Sequence, residues 1–355
     1  MEIKTIASIV GARPQFIKAA PVSRVLASDF KEVFIHTGQH YDYGMSEVFF
    51  AEMEMHAPDF NLGIGSGSHG EQIGKVLIEL EKIFNQVKPD CVLVYGDTNS
   101  TLAGALAAAQ AQIPLAHVEA GLRSYNRTMP EEINRVLTDH VSTLLFCPTD
   151  AAIENLAKEG IVKGVYRVGD VMCDALYYNL ANARAKSKIL RQLGLKTGQY
   201  SLATIHRAAN TDDAERMRSI LSALGMLSTQ VVFPVHPRTR KMIQEWDISA
   251  ASNMLTIEPV GYFDMLALQE NADCILTDSG GMQKEAYLIG VRCITLREET
   301  EWVETVQAGW NKLVGVDVQA IQSAYLDWHP SGARPLLYGN GHASEAIAEI
   351  LKKSV

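Results

Sequence analysis

A chain of 355 residues is too long for one ordinary open-sheet domain and suits two of about 150 to 200 residues each. Its 47% apolar and 21% charged residues match a compact globular protein and exclude long disorder. A formal net charge of -9 speaks against a non-specific nucleic-acid binder, which needs clustered Lys and Arg, but not against a phosphate ligand held by a few Arg and helix N-termini.

The chain starts directly in a strand pattern at residues 3–10, with no basic segment and apolar core of a secretory signal. Glycine and proline then mark a strand-to-helix turn in Gly11-Ala12-Arg13-Pro14-Gln15-Phe16-Ile17-Lys18. Arg13 and Lys18 sit near the positive end of the helix expected over 16–27, where an anion is favoured. An ordinary turn with two solvated cations would read the same way. A strand pattern at 33–37 follows. The stretch Gly63-Ile64-Gly65-Ser66-Gly67-Ser68-His69-Gly70 has no strong strand before it, so it reads as a mobile loop rather than a dinucleotide loop. A helix is expected over 70–87.

Near-continuous apolar strands alternate with helices through the next 60 residues: strands at 91–95, 115–118 and 144–147, helices at 100–112 and 132–141. This rhythm predicts a parallel sheet covered on both faces. Ligands of such sheets bind beyond the carboxyl ends of the strands. Asp97 follows the strand at 91–95, and Glu119 and Arg123 follow the strand at 115–118. Glu131 opens the Pro130-Glu131-Glu132 helix start ahead of Arg135. Each acid has a plain alternative, a helix cap or a dipole-matched first turn. Three acids on one rim also suit acid–base chemistry, because clustered carboxylates push their pKa values apart.

The rhythm restarts with strands at 165–168, 201–205, 231–235, 255–257, 274–277 and 293–296 and helices at 214–228, 263–270 and 282–289. The whole is an α/β protein of two Rossmann-like, doubly wound parallel-sheet domains, with the joint near 160–169. The expected division is an N-terminal domain at 1–165, a C-terminal domain at 166–340, and a last amphipathic helix at 341–355 that is a candidate to pack back on the first domain. In the second series His206 with Arg207, and His236 with Arg238, follow strand ends and suit a diphosphate, although a lone histidine is more often structural. The strongest local motif is Asp278-Ser279-Gly280-Gly281-Met282-Gln283-Lys284-Glu285. The glycines allow close backbone approach, Ser279 and the exposed N–H groups can grip a phosphate, and Glu285 lies one turn deeper, within reach of ribose hydroxyls.

No apolar run reaches the roughly 18 residues of a membrane span. The five cysteines are scattered and never in a C-x-x-C pair, which reads as buried, reduced thiols in a cytoplasmic protein. No metal-ligand spacing is present.

These residues resemble the non-hydrolysing UDP-N-acetylglucosamine 2-epimerases. The likeness runs nearly end to end, through 11–18, Thr37-Gly38-Gln39-His40, 95–100, 117–123, 130–135, His206-Arg207 and 278–285. It implies the glycosyltransferase-B architecture, with a cleft between the two domains, and a UDP-sugar substrate with no cofactor. By position, Asp97, Glu119 and Glu131 fall on the family's catalytic carboxylates and His206 on its catalytic histidine. Arg13, Lys18, Arg123, Arg135 and His236 fall among its cleft residues, and Ser279, Gly280, Gly281 and Glu285 on its UDP contacts. Met265 stands where the family often has a phenylalanine facing uracil, and Ala209 where it usually has Glu. The forms Gly11-Ala12-Arg13-Pro14-Gln15-Phe16, Gly169-Asp170-Val171-Met172-Cys173-Asp174 and Thr300-Glu301-Trp302-Val303-Glu304 look more like the branch acting on UDP-2,3-diacetamido-glucuronate. The family is commonly homodimeric, and neither nucleic acid nor membrane is an implied partner. The 63–70 loop and domain closure are candidates for closing the cleft. Competing readings are a glycosyltransferase of the same architecture, a hydrolysing epimerase and a non-catalytic UDP-sugar sensor.

Overall fold

The computed structural model describes residues 3–38, 55–65 and 67–355, without the side chain of Arg13. The motif residues Gln39 and His40, and Ser66 of the glycine-rich stretch, lie outside the described residues. The chain divides into two compact units, Met1–Tyr177 with Leu336–Val355, and Tyr178–Pro335.

The first unit is built on a seven-stranded sheet of order β3-β2-β1-β4-β5-β6-β7. Its strands are β1 (Thr5–Val10), β2 (Lys31–His36), β3 (Phe60–Asn61), β4 (Cys91–Tyr95), β5 (Leu115–Val118), β6 (Leu144–Cys147) and β7 (Val165–Arg167). All neighbours pair in parallel. Its helices are α1 (Arg13–Leu26), α2 (His69–Val87), α3 (Asn99–Gln110), α4 (Pro130–Val141) and α5 (Asp150–Lys158). Strands β1, β4, β5 and β6 are almost wholly buried, as β-branched runs covered on both faces should be. One core joins Ile9, Ile35, Val92 and Val94 to Leu80 and Phe84 of α2 and to the alanines of α3. The small residues of α3 let it lie close to the sheet: a Cβ on Gly104 would come within 2.8 Å of Ile9.

Two expectations change here. The strand at 165–167 closes the first sheet by pairing with β6, rather than opening the second domain, so the break falls at Tyr177 and not near 165. Its three residues are too short and too exposed to reveal from sequence which sheet they join. The glycine-rich stretch is preceded by the two-residue β3, and its last two residues already belong to α2, with Ser68 capping the helix on Glu71 N–H at 3.4 Å.

A long helix, α6 (Val171–Lys186), follows β7. The second unit has a six-stranded sheet of order β10-β9-β8-β11-β12-β13, again all parallel. Its strands are β8 (Tyr200–Thr204), β9 (Gln230–Pro234), β10 (Met254–Ile257), β11 (Cys274–Thr277), β12 (Arg292–Thr295) and β13 (Asn311–Leu313). Its helices are α7 (Ile189–Leu193), α8 (Ala208–Thr211), α9 (Ala214–Gly225), α10 (Pro237–Glu245), α11 (Tyr262–Asn271), α12 (Gly280–Ile289), α13 (Val303–Gln307) and α14 (Val318–Asp327). One face buries Ile220 and Leu224 of α9 with Ile321 of α14, and the other buries Leu268 of α11 with Ala286 of α12.

The chain then returns to the first unit. Its last helix, α15 (Ala343–Ser354), packs on α1. Asp174 accepts the N–H groups of Ala343 and Ser344 at 3.2 and 2.6 Å, satisfying the orphan donors of the α15 N-terminus. Lys352 pairs with Asp29 at 2.9 Å.

All five cysteines are buried and unpaired. Burial pushes the thiols of Cys91, Cys147 and Cys293 up to about 12, so they behave as small hydrophobes. Among the described residues no helix is long and apolar enough to cross a membrane, and no group of three or more His, Cys, Asp or Glu could hold a metal ion.

Candidate active site

In both sheets the chain reverses direction of winding at one place. In the first it lies between β1 and β4, in the second between β8 and β11. Such switch points open a crevice beyond the strand ends, and the polar motifs follow these strands.

At the first switch point, Gln15 joins the two strand ends. Its side-chain oxygen accepts the N–H groups of Gly11 and Ala12 at 2.8 and 3.0 Å, and its amide donates to Tyr95 O at 2.7 Å and Thr101 Oγ1 at 2.9 Å. Gly11 is required by space rather than by φ: a Cβ there would lie 2.0 Å from Ser100 Oγ and 2.3 Å from Thr37 Oγ1. Lys18, one turn into α1, reaches the end of β5 and pairs with Glu119. Burial works against the lysine's charge. Glu119 outweighs it, with Asp97 and Asp170 adding attraction, so the ammonium is held above its ordinary range. Gly96 sits under this pair: a Cβ there would lie 3.1 Å from Lys18 Nζ and 3.2 Å from Glu119 Oε2.

Glu119 itself has φ +75°, in the left-handed region that costs a non-glycine residue about 1–2 kcal/mol. Non-glycine residues held there concentrate at functional sites. Asp97, one-third exposed, pairs with Arg135 Nη2 at 2.9 Å, and Asn134 donates to the Asp97 backbone oxygen at 2.9 Å. Glu131 is exposed in the first turn of α4 and, among the described residues, has no hydrogen-bond or ion-pair partner. Its neighbour Glu132 is buried and takes the N–H groups of Ser124 and Tyr125 at 2.9 and 2.8 Å. Burial alone would raise the Glu132 pKa, but these donors and Arg135 hold it below the usual range. So α4 carries one free carboxylate and one that fixes the preceding loop.

Arg123 departs from the expectation of a ligand contact. Its guanidinium is buried, forked onto Glu159 at 2.7 and 2.8 Å and bonded to Asp139 at 2.7 Å. The sequence shows a cation at a strand end but not the two carboxylates that enclose it.

At the second switch point, His206 follows two residues after the end of β8. Asp278, fully buried after β11, accepts the backbone N–H groups of His206 and Arg207 at 3.1 Å each and Asn210 Nδ2 at 3.1 Å. This leaves the His206 ring half-exposed, 4.0 Å from Asp278 Oδ1. Asp278 is part of the sequence motif, but its anchoring role is not legible there. Ser279 caps α12, and among the described residues the N–H groups of Gly280 and Gly281 have no hydrogen-bond partner. Orphan donors at a helix start form a ready anion site. A Cβ on Gly280 would lie 3.2 Å from Glu301 Oε2 and 3.5 Å from Trp302 Nε1, so the 300–304 segment flanks this turn. Glu301 bonds Arg297 at 2.9 Å and Arg207 at 3.2 Å. Burial opposes its charge, and the arginines outweigh it, lowering its pKa to about 2.

Glu285 lies half-buried on α12 and accepts from Gln269 at 2.8 Å and from Tyr262 at 3.5 Å. Burial raises its pKa against both donors. His236 caps α10, its Nδ1 accepting Arg238 N–H at 3.3 Å, and is exposed. Met265 packs against the core between β8–β11 and the α11–α12 pair. The structure therefore gathers Lys18, Asp97, Glu119 and Arg135 at one switch point and His206, Ser279, Gly280 and Gly281 at the other. Arg13 opens α1 with its side chain outside the description.

The family model for UDP-N-acetylglucosamine 2-epimerase matches residues 25–352. The chain belongs to the UDP-N-acetylglucosamine 2-epimerase family. A UDP-N-acetylglucosamine 2-epimerase homolog of Methanococcus maripaludis is 52% identical over 353 residues, covering 98% of this chain and 99% of its own. The UDP-2,3-diacetamido-2,3-dideoxy-D-glucuronate 2-epimerase of Pseudomonas aeruginosa is 46% identical over 360 residues, covering 98% and 99%. The solved UDP-GlcNAc 2-epimerase of Methanocaldococcus jannaschii superposes with a TM-score of 0.88 at 43% identity, covering 99% of this chain and 100% of that one.

Proposed function

We propose that this chain is a non-hydrolysing nucleotide-sugar 2-epimerase that interconverts UDP-GlcNAc and UDP-ManNAc. The observation that carries the reading is the complementary chemistry of the two switch points. One holds paired carboxylates and a charged lysine, and the other presents free helix N–H groups beside a histidine. The first set suits proton transfer at a sugar carbon, the second a diphosphate leaving group.

The C2 hydrogen of the sugar has no neighbouring carbonyl, so direct deprotonation is costly. Elimination avoids this. A carboxylate takes the C2 proton as the C1–O bond breaks, its electron pair leaving with UDP and a C1–C2 double bond remaining. Return of UDP to C1, with protonation of C2 on the opposite face, gives the epimer. Atoms balance, and no nicotinamide is consumed. Asp97, Glu119 and Glu131 share the acid and base roles, Lys18 holds Glu119 in place, and Arg135 orients Asp97. His206 with Ser279, Gly280 and Gly281 stabilises the charge that builds on the diphosphate, Glu285 serves the ribose, and Arg13 and His236 complete the cationic surroundings. Expulsion of water protects the glycal. A homodimer acting in the cytoplasm belongs to the same proposal, carried by the family likeness alone.

A specific observation favours a second substrate, UDP-2,3-diacetamido-glucuronate. A relative of that activity is 46% identical, and the Thr300-Glu301-Trp302-Val303-Glu304 form typical of that branch lies against the Gly280 turn. Turnover of both UDP-sugars in heavy water, followed by mass and proton NMR, tests the reaction and ranks the substrates. Epimer carrying deuterium at C2 is expected, with no effect of added NAD. Epimer without deuterium, or strict NAD dependence, refutes the elimination route. Free N-acetylmannosamine in place of the UDP-linked epimer identifies a hydrolysing enzyme.

A further inference from the structure

We propose that Asp139, a carboxylate shut off from solvent in α4, is a positioning residue that sets two of the reaction's carboxylates at once, by anchoring the turns after β4 and β5. The inference rests on the proposed roles of Asp97 and Glu119.

The contacts define the anchor. Asp139 Oδ1 lies 2.7 Å from His117 Nδ1, and His117 Nε2 lies 2.7 Å from Gly96 O. Both ring nitrogens therefore face oxygen acceptors. A carbonyl can only accept, so Nε2 carries a proton and donates it to Gly96 O, while Nδ1 faces the carboxylate. Through His117, Asp139 holds the carbonyl that precedes Asp97. The other oxygen, Oδ2, accepts Gly121 N–H at 3.0 Å and Arg123 Nη1 at 2.7 Å. Gly121 lies two residues beyond Glu119, so the same carboxylate fixes the backbone on both sides of that residue.

The backbone needs such a clamp. Glu119 is held at φ +75° between Gly96 and Gly121, which have φ +63° and +81°. The N–H groups of Glu119 and Ala120 both donate to Phe146 O at 3.1 Å, and the Asp139 bond to Gly121 completes the turn. A strained conformation persists only where its surroundings over-determine it. Released, the Glu119 side chain would swing away from Lys18.

The inner part of the cluster is shut off from solvent: His117 and Asp139 have no side-chain exposure, and Arg123 has 1%. Arg123 faces two carboxylates, Asp139 and Glu159, and the partly exposed Glu159 also lies 3.8 Å from His140. Burial would raise the Asp139 pKa, yet His117 and then Arg123 hold it below the usual carboxylate range. Buried ion pairs of this kind add little stability over apolar residues of equal volume. What they supply here is directed bonding to two backbone turns, which apolar side chains cannot give.

The test is Asp139→Asn in the full-length chain. The amide keeps the shape, but its NH₂ group takes the place either of Oδ1, against His117, or of Oδ2, against both Gly121 and Arg123. The expected result is a 10- to 100-fold lower kcat, since misplacement by about an ångström costs up to 100-fold. KM and the Kd for UDP should change less than threefold, because no UDP-contact residue lies in the cluster. A variant that melts earlier but turns over normally at low temperature would make the cluster merely structural and overturn the proposal. If the variant does not fold, the wild-type protein decides: ¹⁵N NMR should show a proton on His117 Nε2 bonded to a carbonyl, and an Nε2 without a proton overturns the anchor. Failure of the wild type to epimerise any UDP-sugar would instead refute the function, leaving the Nε2 result to judge the geometry separately.

Discussion

Replacing Gly121 by alanine separates two costs that usually arrive together. Gly121 has φ +81°, and a Cβ there would lie 2.4 Å from the Ala152 carbonyl oxygen and 2.9 Å from its carbon. The left-handed backbone alone costs alanine about 1–2 kcal/mol. The clash adds roughly 1–3 kcal/mol, since Ala152 belongs to α5 and its carbonyl cannot retreat without moving the helix. Gly160 in the same unit is the control. It has φ +80°, and a Cβ there would meet nothing within 4 Å, so Gly160→Ala carries the backbone cost only. For a unit of this size 1 kcal/mol shifts the melting temperature by about 2–4 °C. Scanning calorimetry on the full-length variants should therefore show Gly121→Ala melting roughly 2–12 °C below Gly160→Ala. Equal melting temperatures would refute the reasoning, because they would mean that α5 yields freely and the turn after Glu119 is not set by contact.

Three further outcomes are expected. Asp97→Asn and Glu131→Gln should each lower epimerisation about 100-fold or more while calorimetry finds UDP binding unchanged; parallel loss of binding would move those residues out of acid–base chemistry. Gly280→Ala should weaken UDP binding roughly tenfold, or ~1.4 kcal/mol, because the added methyl lies 3.2 Å from Glu301 and covers the free N–H groups; an unchanged Kd would place the diphosphate elsewhere. The His56 pKa is raised to about 9 by the Glu32 carboxylate 3.8 Å away, against burial and with help from the Ala57 carbonyl and Asp59. A raised histidine stabilises fully below its unfolded value near 6.5 and loses that contribution as pH climbs through about 9. The difference in urea midpoint between wild type and His56→Gln should be largest near pH 6 and vanish by pH 10; a difference that grows with pH would reverse the sign.

The strands are legible because buried parallel strands are continuous apolar runs, and β4, β5, β6 and β11 fall where those runs do. The polar pieces are not. Helix α10, Pro237–Glu245, has a single buried residue, Thr239, so no apolar stripe announces it. Strand β13 is Asn-Lys-Leu, and it joins the sheet through backbone pairing with β12, which side chains do not advertise. Asp97 and Glu119 stand out because each comes within two residues of a strand's carboxyl end. The enclosure of Arg123 by Asp139 and Glu159 does not, because those carboxylates lie 16 and 36 positions beyond it. From sequence alone a rim arginine and a buried one look the same.

The return of α15 to the first unit gives the chain an uneven order of manufacture. Residues 178–335 are an uninterrupted segment and can condense as soon as they leave the ribosome, as domains fold in units. The portion bearing Asp97 and Glu119 has to wait for Leu351, which is buried where α15 meets α1. A message cut short after codon 335 would thus yield a finished second unit attached to an unfinished first one.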